Sequence, residues 1–376
     1  MEAGARLEAR TRWWRTDPDR LLYPLGALLA WAGVLPWLVF AFGRAELYRP
    51  LFAGIGWRAA FHPVAQVEGF LTCFAAGLLF TALPRRTGTG SPAAWQVAFA
   101  AGAPAATVVC AWFEKWWPAN AAWLSLLAVL TAFAARRLRG LRLPASFVWV
   151  VWGVLLGAAG SVLAAAGIGL PPQRFWVHLL GRGLLFQGLF TGLVLGTHAL
   201  LVPEMRPRPA RTWAIVLHAL AGALFAASFL VEQIASVQLG FALRTAVVLG
   251  VVVGPLQGLQ PPAERGLRRK LARIALWMLP AGYGWVMVAP ELRRAGLHLV
   301  FLGCFTALAL AIPSQQAAPA RARRFVLAST GGLLALALVA RVLLELDPPH
   351  FHLWLGASSA AFLGATIPWA AGARRT

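Results

Sequence analysis

The fold class that this chain predicts is an all-α integral membrane protein, with about twelve transmembrane helices in one bundle and both termini cytoplasmic. Three observations predict it. The 376 residues are 59% hydrophobic, with a mean hydropathy of +0.68. Apolar runs long enough to cross a bilayer recur from end to end, separated by short polar breaks. Basic residues concentrate in every other break, as they do on the cytoplasmic side of membrane proteins.

The elements follow in order from these breaks. The first apolar run, 21–43, follows five arginines in 1–20. It is much longer than a signal-peptide core, so it reads as a retained first span. Spans 65–83 and 93–114 flank the turn Pro84-Arg85-Arg86-Thr87-Gly88, and 119–135 and 145–169 flank four arginines in 136–144. Spans 175–201 and 212–231 enclose 202–211, and 236–258 and 272–289 enclose the basic stretch 259–273. Spans 292–313 and 325–345 enclose 314–324, and 350–371 precedes the short tail 372–376. The organisation is therefore a basic cytoplasmic tail (1–20), a polytopic domain (21–371) and a cytoplasmic tail (372–376).

The alternate segments hold 24 of the 34 basic residues and six of the 13 acidic ones. The net charge of +21 is accordingly a mark of topology, and nucleic acid is excluded as a partner because basic and aromatic residues never interleave on a polar face. Cys73, Cys110 and Cys304 lie inside apolar runs without paired spacing, which implies neither a disulfide framework nor a sulfur-ligated cluster. Gly153-x-x-x-Gly157, and Gly188, Gly192 and Gly196 in the sixth span, offer flat faces for close helix packing.

Seven histidines are the most informative polar residues. With even-numbered spans running from outside to inside, His62 precedes span 2, His178 opens span 6, His298 lies early in span 10, and His350 and His352 open span 12. Imidazole is costly in hydrocarbon, so histidines from four helices at one depth read as a haem or metal site near the outer face. His198 and His218 lie at the inner ends of spans 6 and 7. About twenty residues of helix, roughly 30 Å, separate His198 from His178.

Arginine accompanies the outer cluster on the side where positive charge is otherwise avoided. Arg182 is four residues after His178, Arg294 four before His298, and Arg58, Arg293 and Arg341 share that level. Imidazole ligands with guanidinium groups above them suit a bis-histidine b-type haem, whose iron takes axial nitrogens and whose propionates take cations.

The segment Gly69-Phe70 through Gly77-Leu78-Leu79-Phe80-Thr81-Ala82-Leu83-Pro84-Arg85-Arg86-Thr87-Gly88 resembles the second span of the NnrS family, with His62 on that family's first histidine. His298-Leu299, Gly303, Phe305 and Leu310-Ala311 resemble its tenth span. The resemblance implies a bacterial inner-membrane protein containing haem and copper and linked to nitric oxide stress or denitrification. His62 and His298 become the haem axial candidates, holding it near the outer face between spans 2 and 10. Arg58, Arg182, Arg294 and Arg341 become the propionate candidates.

Nitric oxide or a nitrosyl species is the implied ligand. Val64, Ala65 and Gln66 stand where the family pattern has its second histidine, a glutamate and a methionine. Copper is left to His178, His350 and His352. Two other classes fit the span pattern: a secondary transporter, for which Arg244 is the clearest ionisable group away from a span end, and a lipid-linked transferase, for which the outer segment 44–64 offers one acid, Glu46.

Overall fold

The computed structural model describes residues 13–43, 60–201, 211–256, 266–311 and 320–373. Among these residues the regular structure is helical, and ten helices are long and apolar enough to cross a membrane. The protein is a multi-pass α-helical membrane protein. In chain order its long helices are α1 (Asp19–Gly43), α2 (Phe61–Thr87), α3 (Ala94–Trp112), α4 (Trp116–Leu138), α5 (Val148–Ile168) and α6 (Pro172–His198). They continue as α7 (Thr212–Ile234), α8 (Val237–Val253), α9 (Leu267–Val288), α10 (Pro290–Ala311), α11 (Ala320–Leu346) and α12 (Phe351–Ala373). Each expected span falls on one of them, and α8 is the short one at 17 residues.

Two compact units organise the helices, one of residues 1–36 and 54–141, the other of residues 37–53 and 142–376. In the first unit, α2, α3, α4 and the start of α1 bury Leu22, Ala76, Phe80, Val97, Leu126 and Phe133 together. Phe80 meets Phe133 edge to face at 4.6 Å. The start of α1 is clasped to α2: the Thr81 hydroxyl donates to Asp19 Oδ1 at 3.1 Å and accepts from the Asp19 amide at 3.3 Å. Gly77 permits this approach, because a Cβ there would stand 2.7 Å from the Tyr23 ring.

The second unit holds α5 to α12. Within it, α5 and α6 pack backbone to backbone. A Cβ on Gly153 would lie 2.7 Å from the Leu189 carbonyl, and one on Gly181 would lie 2.7 Å from the Gly160 carbonyl. The glycine stripes expected to pack do so. In a bilayer lipid tails are as apolar as leucine, so helix association relies on such close backbone contact.

The face this packing buries tests its role directly. Gly192→Leu should overpack the α5–α6 contact and lower stability by about 1–3 kcal/mol or more, read as a lower melting temperature in detergent. Gly102 has open space around it, with nothing within 4 Å of an added Cβ. Gly102→Ala should therefore be neutral or stabilise by up to about 1 kcal/mol through helix propensity. Equal melting temperatures for the two variants would refute the packing account.

Candidate functional site

Three spans share an irregularity. In α2, α6 and α10 the backbone winds into π-helical segments at Ala65–Leu71, Leu184–Gly188 and Leu299–Thr306. Each follows a histidine: His62, His178 and His298 respectively. A π turn inserts a residue into the helix, re-aims the side chains beyond it and loosens the backbone ladder, and such turns are frequent at functional sites. In α2 the Thr72 hydroxyl donates to the Val67 carbonyl within the π segment at 2.9 Å, and accepts from Trp123 Nε1 at 3.2 Å.

The three imidazoles are held in one way. His62 Nδ1 is 2.9 Å from the Gly33 carbonyl on α1, His178 Nδ1 is 2.7 Å from the Ala164 carbonyl on α5, and His298 Nδ1 is 2.6 Å from the Arg294 carbonyl. A carbonyl can only accept, so each Nδ1 carries the proton. In the neutral ring the lone pair then sits on Nε2, the arrangement by which metal-ligating histidines are oriented from behind. His218 shows the opposite tautomer, since its Nδ1 accepts from Trp149 Nε1 at 3.1 Å. His198 and His218 are both buried.

Around His298 the second unit gathers charge. Arg341, from α11, lies against the His298 ring, its Nε 3.1 Å from Nε2 and 3.5 Å from Nδ1. Arg294 lies one turn before His298, and Glu345 lies one turn beyond Arg341 with its Oε1 buried and unpaired. Arg182 sits one turn beyond His178, its guanidinium 5.4 Å from the Phe186 ring. Arg58 lies outside the described residues.

His350 donates through Nδ1 to the Asp347 carboxylate at 3.0 Å, and Trp354 Nε1 donates to the same oxygen at 2.9 Å. The Trp354 bond first, then that from His350, holds this exposed carboxyl below the usual carboxylate range. The His352 ring packs near Phe40 and Phe351, with a buried, unpaired Nδ1. Among the described residues no group of three or more His, Cys, Asp or Glu side chains is placed to hold a metal ion.

One network escaped the sequence reading. Arg244 on α8 is fully buried between the rings of Phe229 and Phe241, 3.8 and 4.3 Å from their centres. Its Nε donates to Ser228 Oγ at 3.0 Å, one terminal nitrogen to Gln187 Oε1 at 3.1 Å, and the other to the Ser228 carbonyl at 3.3 Å and to Glu232. The second oxygen of Glu232 pairs with Arg293, five residues before His298. Gln187 belongs to the π segment of α6, so this polar chain links the span of His178 to the span of His298. The signal available in the sequence was the Ser228, Glu232 and Arg244 set, one helix turn apart on α7 and then across a tight hairpin.

The architecture defines a multi-pass α-helical membrane protein with histidines at the starts of π-wound spans. Residues 14–375, nearly the whole chain, match the NnrS protein family. The chain belongs to the NnrS family. No curated protein matches it, and neither does any solved structure.

The burial contrast within the arginine network sets a ranking. Glu232→Ala leaves a fully buried guanidinium without its counter-ion and should cost about 3–5 kcal/mol. Arg293 is partly exposed, with 39% of its side chain accessible, so Arg293→Ala should cost no more than about 1 kcal/mol. Thermal unfolding in detergent reads both, and a reversed order would show that Arg244 is not the group Glu232 serves.

Proposed function

We propose that this protein binds a b-type haem in a bacterial cytoplasmic membrane, with both termini inside, and acts in the response to nitric oxide or in denitrification. The observation that supports the reading is the common anchoring of His62, His178 and His298 through Nδ1 on backbone carbonyls, which in the neutral ring leaves the lone pair on Nε2, the nitrogen that would ligate a metal. His62 and His298 are the axial candidates, by their place in the family pattern. Arg182, Arg294 and Arg341, together with Arg58, are the cations available to carboxylates of the porphyrin. Bound haem would supply an iron that holds nitric oxide where one histidine ligates it, or passes electrons where two do.

The chain's own part is to orient the imidazoles, exclude water with the apolar spans and offset the propionate charge. Copper, which family resemblance implies beside haem, would draw on His178, His350 and His352. A second reading, a secondary transporter, is favoured by the buried Arg244–Glu232 pair and the π-interrupted helices, since interrupted helices and buried polar groups also line transport paths.

The visible spectrum of the purified protein, oxidised and dithionite-reduced, decides between them. The haem reading expects a Soret band and a sharp reduced α-band, both lost or shifted in His62→Ala and in His298→Ala. A colourless protein from haem-replete cells would overturn it and favour transport. Carbon monoxide added to the reduced protein separates the two haem versions, because only an iron with an open position shifts its Soret band.

A further inference from the structure

We propose that the starting ends of α9 and α11 form a binding site for an anionic phospholipid, its phosphate held by Lys270, Arg273 and Arg324. The inference is independent of haem and takes from the proposed topology only the leaflet, which is the cytoplasmic one.

The start of α9 reads Leu-Arg-Arg-Lys-Leu-Ala-Arg, four cations in seven residues, with no acid in the first turn. Taken alone, this is unfavourable for the helix in two ways. Cations one turn apart repel, as Lys270 and Arg273 do, and the positive end of the helix dipole repels both. The sequence of α11 also starts on cations, Arg321, Arg323 and Arg324, again without an acid in the first turn. An anion placed here is attracted by the side chains and by both helix ends.

The two basic starts are neighbours. A Cβ on Gly331 of α11 would stand 3.3 Å from the Leu271 side chain of α9, and one on Gly303 of α10 would touch both Met278 and Leu338. Leu271 is level with Gly331, and Met278 with Leu338, seven residues on in each helix, so α9 and α11 run parallel and start from one face. Arg324 precedes Gly331 by seven residues, which sets it roughly 10 Å closer to water along the helix.

Depth and surroundings narrow the partner to a lipid. About 20 residues cross the hydrocarbon, and counted back from Val288 they reach the first turn of α9. Lys270 is exposed and Arg273 half-buried at that edge, where long basic side chains reach for headgroups. The acids described in the second unit, Glu232, Glu291, Glu345 and Asp347, lie at the opposite face, where α7, α9 and α11 end and α10 begins. Among the described residues no carboxylate therefore stands beside these three cations. Ile274 and Phe325, next in sequence to Arg273 and Arg324, are apolar and exposed. A phospholipid offers both a phosphate and apolar chains, and basic pockets between helices hold such headgroups; a free phosphate ion matches only the cations.

The test uses the full chain in detergent. Native mass spectrometry counts retained lipid, and titration of delipidated protein with diphosphatidylglycerol, followed by the melting temperature, gives the affinity. Anionic phospholipid should stay bound and raise the melting temperature, whereas phosphatidylcholine and inorganic phosphate should not. A Lys270→Gln and Arg273→Gln double variant should bind about fivefold more weakly for each cation removed. The matched control, Arg136→Gln with Arg139→Gln, removes two exposed cations at the end of α4 and should leave the affinity unchanged. Lys270→Gln alone, at an exposed position, replaces the double variant if that variant aggregates.

Equal affinity for diphosphatidylglycerol and phosphatidylcholine would overturn the proposal. So would equal weakening in the two double variants, because that is the behaviour of a general attraction between basic side chains and any anionic surface. The titration in detergent reads neither haem nor sidedness, so its failure is separate from a failure of the haem reading or of the topology.

Discussion

A polar group that leaves water for hydrocarbon has to find its partner inside the protein, and this constraint governs where the chain places its charges, its imidazoles and its irregular turns. The second unit meets it at Arg244. Four fixed acceptors from α6 and α7 surround that guanidinium, and two aromatic rings close its faces. Because Glu232 also holds Arg293, the same carboxylate secures the helix that begins at Arg293 and ends at His298. The position of His298 thus depends on a charge pair two helices away in sequence.

The constraint also explains the link between glycine and histidine. For His178 to donate to the Ala164 carbonyl, α6 must approach α5 until backbone and side chain touch. Gly167 makes the room, since a Cβ there would collide with the His178 backbone. In the first unit Gly33 plays the corresponding part: it faces Ala65 and Gln66 closely, and its carbonyl takes the His62 proton. Gln66 adds a second such bond, donating to the Ala30 carbonyl at 2.8 Å. Small residues here set side-chain chemistry as well as packing distance.

Much of this was legible in the sequence, for a physical reason. Spans declare themselves because crossing hydrocarbon requires length and apolar composition, and the helices fall on the expected segments within a few residues. The glycine stripes of α5 and α6 were legible on the same ground. The π segments were not, because a one-residue change in winding alters neither hydropathy nor composition; Ala65–Leu71 reads as ordinary span. Tautomers were hidden too, since the acceptor for His178 is a backbone carbonyl 14 residues away, and carbonyls leave no mark in a sequence. Arg244 stood out as an ionisable residue within a span. Its partner Gln187 did not, because it is 57 positions distant, whereas Ser228 and Glu232 lie just across the adjoining hairpin.

The two deeply placed arginines of the second unit differ in what they are free to do. Arg244 has each of its three nitrogens engaged and no accessible surface, so moving it would break every bond at once in a medium that offers no replacement. Arg341 engages only Nε, and the described residues give its other two nitrogens no partner. Glu345, one turn further along its helix, has its Oε1 buried without a partner. Saturation marks the first arginine as a fixed strut. The second, held through one nitrogen against the His298 ring, has no such lock.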